Sequence, residues 1–511
     1  MGSAPSKVNQ RCHSEERSDE ESTFALKNRT SRFLSLMRDR NDKTKNNQER
    51  RTNDNEPPKM NLEEKLRQLR QATQPTARDR DLVRQLEYLR RRESGPKKLP
   101  AHRAGKGIDE YVEGKVEQNL AGEFFLARQA LPFGRPYGRL RIGDVCAADL
   151  SPLSLFFNGT TLPEPSRLVY LDTETTGLAG GTGTCAFLIG IGAIEGSQFV
   201  VRQFFLRDYP DERAALAGLG EVLNAYEGIV TFNGKTFDVP LLETRYRLSR
   251  LKSPFSGRLH LDLLHPARHV WKLRLESCQL TNLEKELLGI SRKGDVAGSE
   301  IPGIYFDYLR TGNARGLQPV FYHNALDIVT LAALTFEMAR AIGDGGAETL
   351  KSSLDLFGLS RLFERFGAVE QSVSACQRAL AAGLPRPVEL RALWQLASQH
   401  KRRRQYEQAA ELWMELLRRE DSCQVAEELT ILVLEELAIY HEHRRRDAQA
   451  AIQFAEEGFR RLDTSAGEGV AGAPDDHRRL RRFTHRMMRL QRKSARISEL
   501  PLVQGQAIPP S

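Results

Sequence analysis

"LVYLDTETTGLAGGTGT", running from Leu168 to Thr184, decides how this chain is read. An apolar strand start is followed at once by Asp172 and Glu174. Buried strands avoid unpaired carboxylates, because taking one out of water is costly or forces it to bind a proton. On a strand, side chains two residues apart share a face. The two acids therefore mark either a solvated strand end or a point where carboxylates converge on positive charge.

Working outward, "RLVYLDTE", "TCAFLIGIGAI" and "QFVVRQFFL" read as three successive strands. "ERAALAGLGEVLNAY" reads as a helix, "GIVTFNG" as a strand and "FDVPLLETRYRLSR" as a helix again. Strands in series followed by alternating helix and strand predict an α/β domain over 165–342, a mixed sheet flanked by helices. Upstream, "GEFFLARQALPFGRPYGRLRIGDV" (Gly122–Val145) predicts short strands packed on that domain. From Met60 to about Arg92 leucines at helical spacing predict a basic amphipathic helix, followed by the linker "SGPKKLP". Residues 1–59 are polar and without apolar periodicity, which predicts disorder. "MGSAPS" fits a myristoylation pattern only as chance in such a tail, "CHSEERSDEES" looks like translated intergenic repeat, and Met60 is the more natural start.

Composition bounds the rest. The chain has 511 residues, 40% of them hydrophobic, which is enough for two or three packed domains. Its six cysteines contain no CxxC pair, which speaks against a zinc or disulfide framework and for a reducing compartment. No apolar run reaches the roughly 20 residues that span a bilayer. A cytoplasmic protein without membrane contact is expected. Lys and Arg outnumber Asp and Glu by 76 to 67, a balance compatible with nucleic acid but not diagnostic of it.

Two further acids join the first pair. Asp238 in "TFNGKTFDVP" stands at the start of an apolar helix, where it serves either as an N-cap or as a ligand. Asp327 in "FYHNALDIVTLAALT" sits inside a strongly apolar helix, where a carboxylate needs a partner and a cation is the obvious one. Acids on separate elements in the order DxE, D, D suit two divalent ions, Mg or Mn, that activate water and stabilise a leaving oxygen. At this point the chain resembles the DEDD exonuclease superfamily on the ribonuclease-H-like fold. "DTETTG", "TFNGKTFDVP" and "HNALDIVTL" are similar to its three motifs in order. "LHLDLLHPARHVWKLRLESCQLTNLEKELLG" and "IPGIYFDYLRTG" resemble more narrowly the bacterial YprB-like branch, which joins such a domain to a helical repeat tail.

The resemblance implies a 3′–5′ exonuclease acting through two metals, with the nuclease domain at 110–345. Asp172, Glu174 and Asp327 would bind the metal that activates water, Asp172 would bridge to the second, and Asp238 would support it. The superfamily places a Tyr four residues, or a His five, before the last acid. Here the order is reversed, with His323 at four and Tyr322 at five. His323 shares a helical face with Asp327, so it is the favoured group to orient or deprotonate the water, with Tyr322 second. Capping or packing at a helix start is the alternative. Thr175 and Thr176 are candidates to touch the terminal nucleotide, and Asn233 and Lys235 to steady the strand end or the scissile phosphate. The glycine-rich run after Gly177 lacks the ending of a phosphate-binding loop. Asp262 reads as structural, and His260, His265 and His269 are too dispersed for a metal site.

Beyond about Thr349 the pattern is helical throughout. Segments around Gln371, Gln408 and Gln449 align as helix pairs over 350–465, resembling tetratricopeptide repeats but with a period longer than the usual one of about 34. "HKRRRQ" and "HEHRRRD" fall in equivalent turns and would set Arg402, Arg403, Arg404, Arg444, Arg445 and Arg446 along one edge. That strip predicts nucleic acid, DNA or RNA, while repeats of this kind equally suit a protein partner. "HRRLRRFTHRMMRLQRK" within 466–511 either extends the strip or caps the repeats. Two other functions stay open: a binding scaffold that does not cut, and an endonuclease on structured or hybrid duplex.

Overall fold

The computed structural model describes residues 107–157, 159–177, 183–343, 350–419, 424–467 and 474–498. The expected disorder of 1–59, the basic helix and linker that follow, residues 178–182 of the glycine-rich run and the tail after 498 lie outside the described residues.

One mixed sheet carries the α/β region, with seven strands. In chain order they include β1 (Gly114–Asn119) and β2 (Gly122–Pro132). A two-stranded hairpin follows, β3 (Pro136–Tyr137) with β4 (Leu140–Arg141), and then a short helix α1 (Ile142–Cys146). Next come β5 (Leu168–Thr175), β6 (Ala186–Glu195), β7 (Gln198–Phe205), helix α2 (Glu212–Leu223) and β8 (Gly228–Thr231). Helix α3 (Asp238–Leu248), β9 (Leu259–Asp262) and helix α4 (Leu264–Trp271) complete the alternation. The strand order is β1-β2-β7-β6-β5-β8-β9, antiparallel from β1 to β5 and parallel from β5 to β9. The expected preamble is thus part of the sheet itself, because β2 pairs along its length with β7.

Both faces of β5 are covered, which is why Leu168–Leu171 can be apolar without a break. Leu168 and Tyr170 enter one core, shared with Val230, Leu261 and a long helix, α7 (Gln318–Gly343). Val169 and Leu171 enter the other, against α2 and α3 through Leu219, Leu242 and Tyr246. Before α7 come α5 (Leu280–Leu283), which runs into a π turn at Glu284–Leu288, and α6 (Ile301–Thr311). Helix α7 (Gln318–Gly343) then crosses the sheet. It lies almost on the backbone of β6. A Cβ added at Gly190 would stand 2.1 Å from Asn324 Oδ1, and one at Gly192 2.3 Å from Ile328 Cγ2. No other residue type permits that approach.

The rest is helical: α8 (Ser353–Arg365), α9 (Val369–Ala381), α10 (Arg386–Arg402), α11 (Tyr406–Arg418), α12 (Gln424–Tyr440), α13 (Ala448–Gly467) and α14 (Pro474–Ser498). Successive helices pack against one another. Gly367, Arg404 and Arg446 all have positive φ, each in the turn between the two helices of a pair. The first pair shares a continuous core with the sheet, since Phe357, Leu359 and Cys376 pack with Val270, Trp271 and Leu334. Gly358 allows α8 to close on α4, where a Cβ would stand 2.2 Å from the Val270 carbonyl oxygen. Arg274 adds an ion pair to the buried Asp355 of α8 at 2.8 Å. No described helix is long and apolar enough to cross a membrane.

Candidate active site

Alternation on β5 carries Asp172 and Glu174 onto the face that bears Leu168 and Tyr170, the face crossed by α7. Asp327 projects from α7 toward them and is buried. Asp238 comes from over the strand ends. It is the first residue of α3 rather than its cap, and Thr173, on the opposite face of β5, donates a hydrogen bond to its Oδ1 at 2.5 Å. Four carboxylates from three elements are thereby brought together.

Their electrostatics follow from crowding. Burial, then the charges of Asp327, Glu174 and Asp238, hold Asp172 well above the usual carboxylate range, against a hydrogen bond from Asn324. Glu174 is raised to about 8 by burial and by Asp327 and Asp238. Asp238 is raised to about 6 by burial, with the Thr173 hydrogen bond opposing. Such a cluster is stable only with protons or cations among the acids.

Several partners were not visible as site residues in the sequence. Asn324 Nδ2 donates to Asp172 Oδ2 at 3.0 Å, and Gln203 Nε2 donates to Asn324 Oδ1 at 3.0 Å and to the Phe321 carbonyl at 2.8 Å. This buried relay from β7 fixes the Asp172 carboxylate. Arg292, in the loop after the π turn, donates to Asp327 Oδ1 at 2.5 Å, to Glu284 at 2.6 Å and to Asp295 at 3.2 Å. Its burial disfavours the charge, but Asp327 and Glu284 outweigh it and the guanidinium is held firmly cationic. Tyr137 of the β3–β4 hairpin closes the far side of Glu284 at 2.8 Å. Asn324 had a signal, a polar residue one turn before Asp327 on a buried helix. Arg292 and Asp295 lie in an aperiodic loop and had none.

His323 turns inward, with Nδ1 2.8 Å from Asp295 Oδ1 and Nε2 3.3 Å from Asp327 Oδ2. Because α7 begins at Gln318, His323 does not cap the helix start. Its neighbour Tyr322 is 44% exposed, as is Phe237 at 59% beside Asp238. A cavity of about 400 Å³ opens next to His323, lined by Arg292, Asp295, Lys285 and Thr281 among others.

The remaining candidates divide. Thr176 is buried and its hydroxyl accepts from the Cys185 amide at 3.0 Å, while Thr175 Oγ1 donates to the Gly177 carbonyl at 3.0 Å. Asn233, at φ 69°, and Lys235 offer their backbone amides to Asp262 at 2.7 and 3.0 Å, which gives Asp262 the structural role expected of it. His260 meets Thr231 at 2.8 Å, and burial lowers it to about 4. In the tail, Arg402 and Arg403 pair with Glu364 and Glu370, and Arg444 stacks on Tyr406 at 3.9 Å. Arg404, Arg445 and Arg446 are exposed. Helix α14 docks through Arg482 to Glu435 and through Arg486 and Arg489 to Glu442, so part of its charge serves to cap the stack.

The donor chemistry fits a divalent ion, because Glu174, His323 and Asp327 each present one ligand atom within 4.8 Å of the others. Comparison with known proteins agrees with this reading of the fold. Residues 169–339 match the RNase_H superfamily. The chain is also 31% identical over 297 residues to the uncharacterized protein YprB of Bacillus subtilis (strain 168), covering 58% of this chain and 69% of that protein. The chain belongs to the YprB-like family and carries a domain of the RNase_H superfamily. A domain of this superfamily suggests hydrolysis of nucleic acid. In this ribonuclease-H-like domain the matched span contains all four acids, His323, Asn324 and Arg292.

Proposed function

We propose that the protein is a divalent-metal-dependent 3′–5′ exonuclease acting on single-stranded ends. The observation that carries this reading is the convergence of Asp172, Glu174, Asp238 and Asp327, with Asp172 and Glu174 raised by burial and by their acidic neighbours and Asp238 by burial. Two divalent ions bound there would supply an activated water and stabilise the leaving oxygen. Asp172, Glu174, Asp238 and Asp327 would hold these ions, with Asp172 shared between them by the motif resemblance. Asn324 keeps Asp172 from turning away, and Thr173 does the same for Asp238. Exposed Phe237 and Tyr322 beside the acids offer faces on which unpaired bases stack, which supports a single-stranded substrate. The 3′–5′ direction rests on the motif resemblance. Arg404, Arg445 and Arg446 take the strand beyond the site, with DNA and RNA both admissible.

The test uses the chain with 5′-labelled single-stranded DNA and RNA, magnesium or manganese, beside Asp172→Ala. The expected result is a ladder shortening from the 3′ end, absent in the variant. Internal cuts in hairpin or hybrid duplex would replace this reading with an endonuclease. A gel shift with every substrate intact would replace it with a binding scaffold.

A further inference from the structure

We propose that His323 is itself a ligand of the divalent ion, beside Glu174 and Asp327, with Asp295 as its positioning residue, so that this position takes a first-row transition ion in preference to magnesium. The inference rests on the metal-dependent reading above and names its metal. Two donors bound side by side to one ion at about 2.1 Å stand about 3 Å apart. His323 Nε2 and Asp327 Oδ2 are 3.3 Å apart, and Glu174 completes the set within 4.8 Å. Asp295 Oδ1 meets the other ring nitrogen at 2.8 Å. An ionised carboxylate only accepts, so Nδ1 donates to Asp295 and Nε2 is the ring nitrogen turned toward Asp327. A metal ion bound between Nε2 and Asp327 Oδ2 would take the place of the proton that otherwise joins them.

The same loop prepares Asp327. Arg292 occupies its Oδ1, which leaves Oδ2 as the oxygen on the His323 side. Arg292 and Asp295 are themselves joined at 3.2 Å, so one loop sets the orientation of both α7 ligands. A carboxylate on the distal nitrogen is the usual means of fixing a metal-bound imidazole. A nitrogen donor matters for selection, because all-oxygen sets suit magnesium and calcium whereas imidazole favours transition ions.

The experiment loads the full-length, metal-free protein with Mn²⁺ and records pulsed electron paramagnetic resonance. The expected signal is a nitrogen coupling that changes on ¹⁵N-histidine labelling, is lost in His323→Gln and is kept in His269→Gln. Isothermal titration should show Mn²⁺ bound more tightly than Mg²⁺. Asp295→Ala should weaken Mn²⁺ by about 10- to 100-fold with a smaller change for Mg²⁺. Asp295→Asn, which keeps an acceptor for Nδ1, should recover part of that loss. Should His323→Gln not fold, the label and the Asp295 variants carry the test. Mn²⁺ bound without nitrogen coupling in the unaltered protein overturns the assignment, and so does coupling that survives in folded His323→Gln. The nuclease assay separates the two readings. Cleavage without nitrogen coupling sinks only this inference, and coupling without cleavage of DNA or RNA sinks only the exonuclease.

Discussion

At the scale of single residues, the site is built against its own stability. Glu174 at about 8 and Asp238 at about 6 bind protons in the folded chain that they have lost when unfolded, and Asp172 behaves likewise. A raised folded value means stability fully present below the unfolded carboxylate range and lost as pH rises through the folded value. Metal-free protein should therefore melt at falling temperatures as pH is raised from about 5 to about 8, and calorimetry in chelator would show it. A cation removes the repulsion, so saturating Mn²⁺ should raise the melting temperature most at the alkaline end. By the same reasoning Asp172→Asn should abolish cleavage yet stabilise the metal-free chain by about 1–3 kcal/mol, read from urea melts. The acids were legible in the sequence because charge stands out against apolar runs. Asp172 follows Leu168–Leu171, and Asp327 precedes "IVTLAALT". Arg292, Asp295 and Glu284 were not legible, since a loop and a π turn carry no periodicity by which to place them.

At the scale of elements, the meeting of β5 and α7 depends on what β6 lacks. Gly190 faces Asp172 across the ladder, and its missing side chain is the room that Asn324 occupies. Gly190→Ala should lift α7 from the sheet, costing about 1–3 kcal/mol and weakening Mn²⁺ binding along with stability. Asn324→Ala acts without displacing the helix. It leaves Gln203 without its Asn324 partner and Asp172 without its donor, so chemical denaturation should report a loss of about 1–3 kcal/mol. Strands β5 to β8 could be read from the sequence, because turns separate β5, β6 and β7 and helix α2 leads into β8. The place of β1 and β2 could not. They join the sheet through β2, whose partner β7 lies 203 − 127 = 76 residues further on by the Ala127–Gln203 register, and their half-exposed faces resemble those of any surface hairpin. Likewise the carboxylate of Asp238 is held by Thr173, a contact between distant segments that overrides its local prospect as a cap.

At the scale of the whole molecule, nuclease and helical stack share one interior. Phe357 and Leu359 of α8 belong to the same core as Trp271 and Leu334. Truncation before Ser353 should therefore yield an aggregating fragment, which size-exclusion chromatography would reveal, rather than a free catalytic domain. The helical tail was legible from its repeat, but this fusion was not, because apolar helix faces do not announce their partners. Reversing Arg404 and Arg446 to Glu together should raise KM with little effect on kcat. It should also flatten the salt dependence of binding by about one unit for each phosphate no longer neutralised. The close seat of α8 on α4, made by Gly358 and by Arg274 with Asp355, reaches further than stability. Seated so, the stack would keep its arginine turns at a set span from the acids, and the proposed exonuclease would carry a ruler. A strand too short to reach both stations loses its grip, so exhaustive digestion should halt at one remnant length that no excess of enzyme will trim.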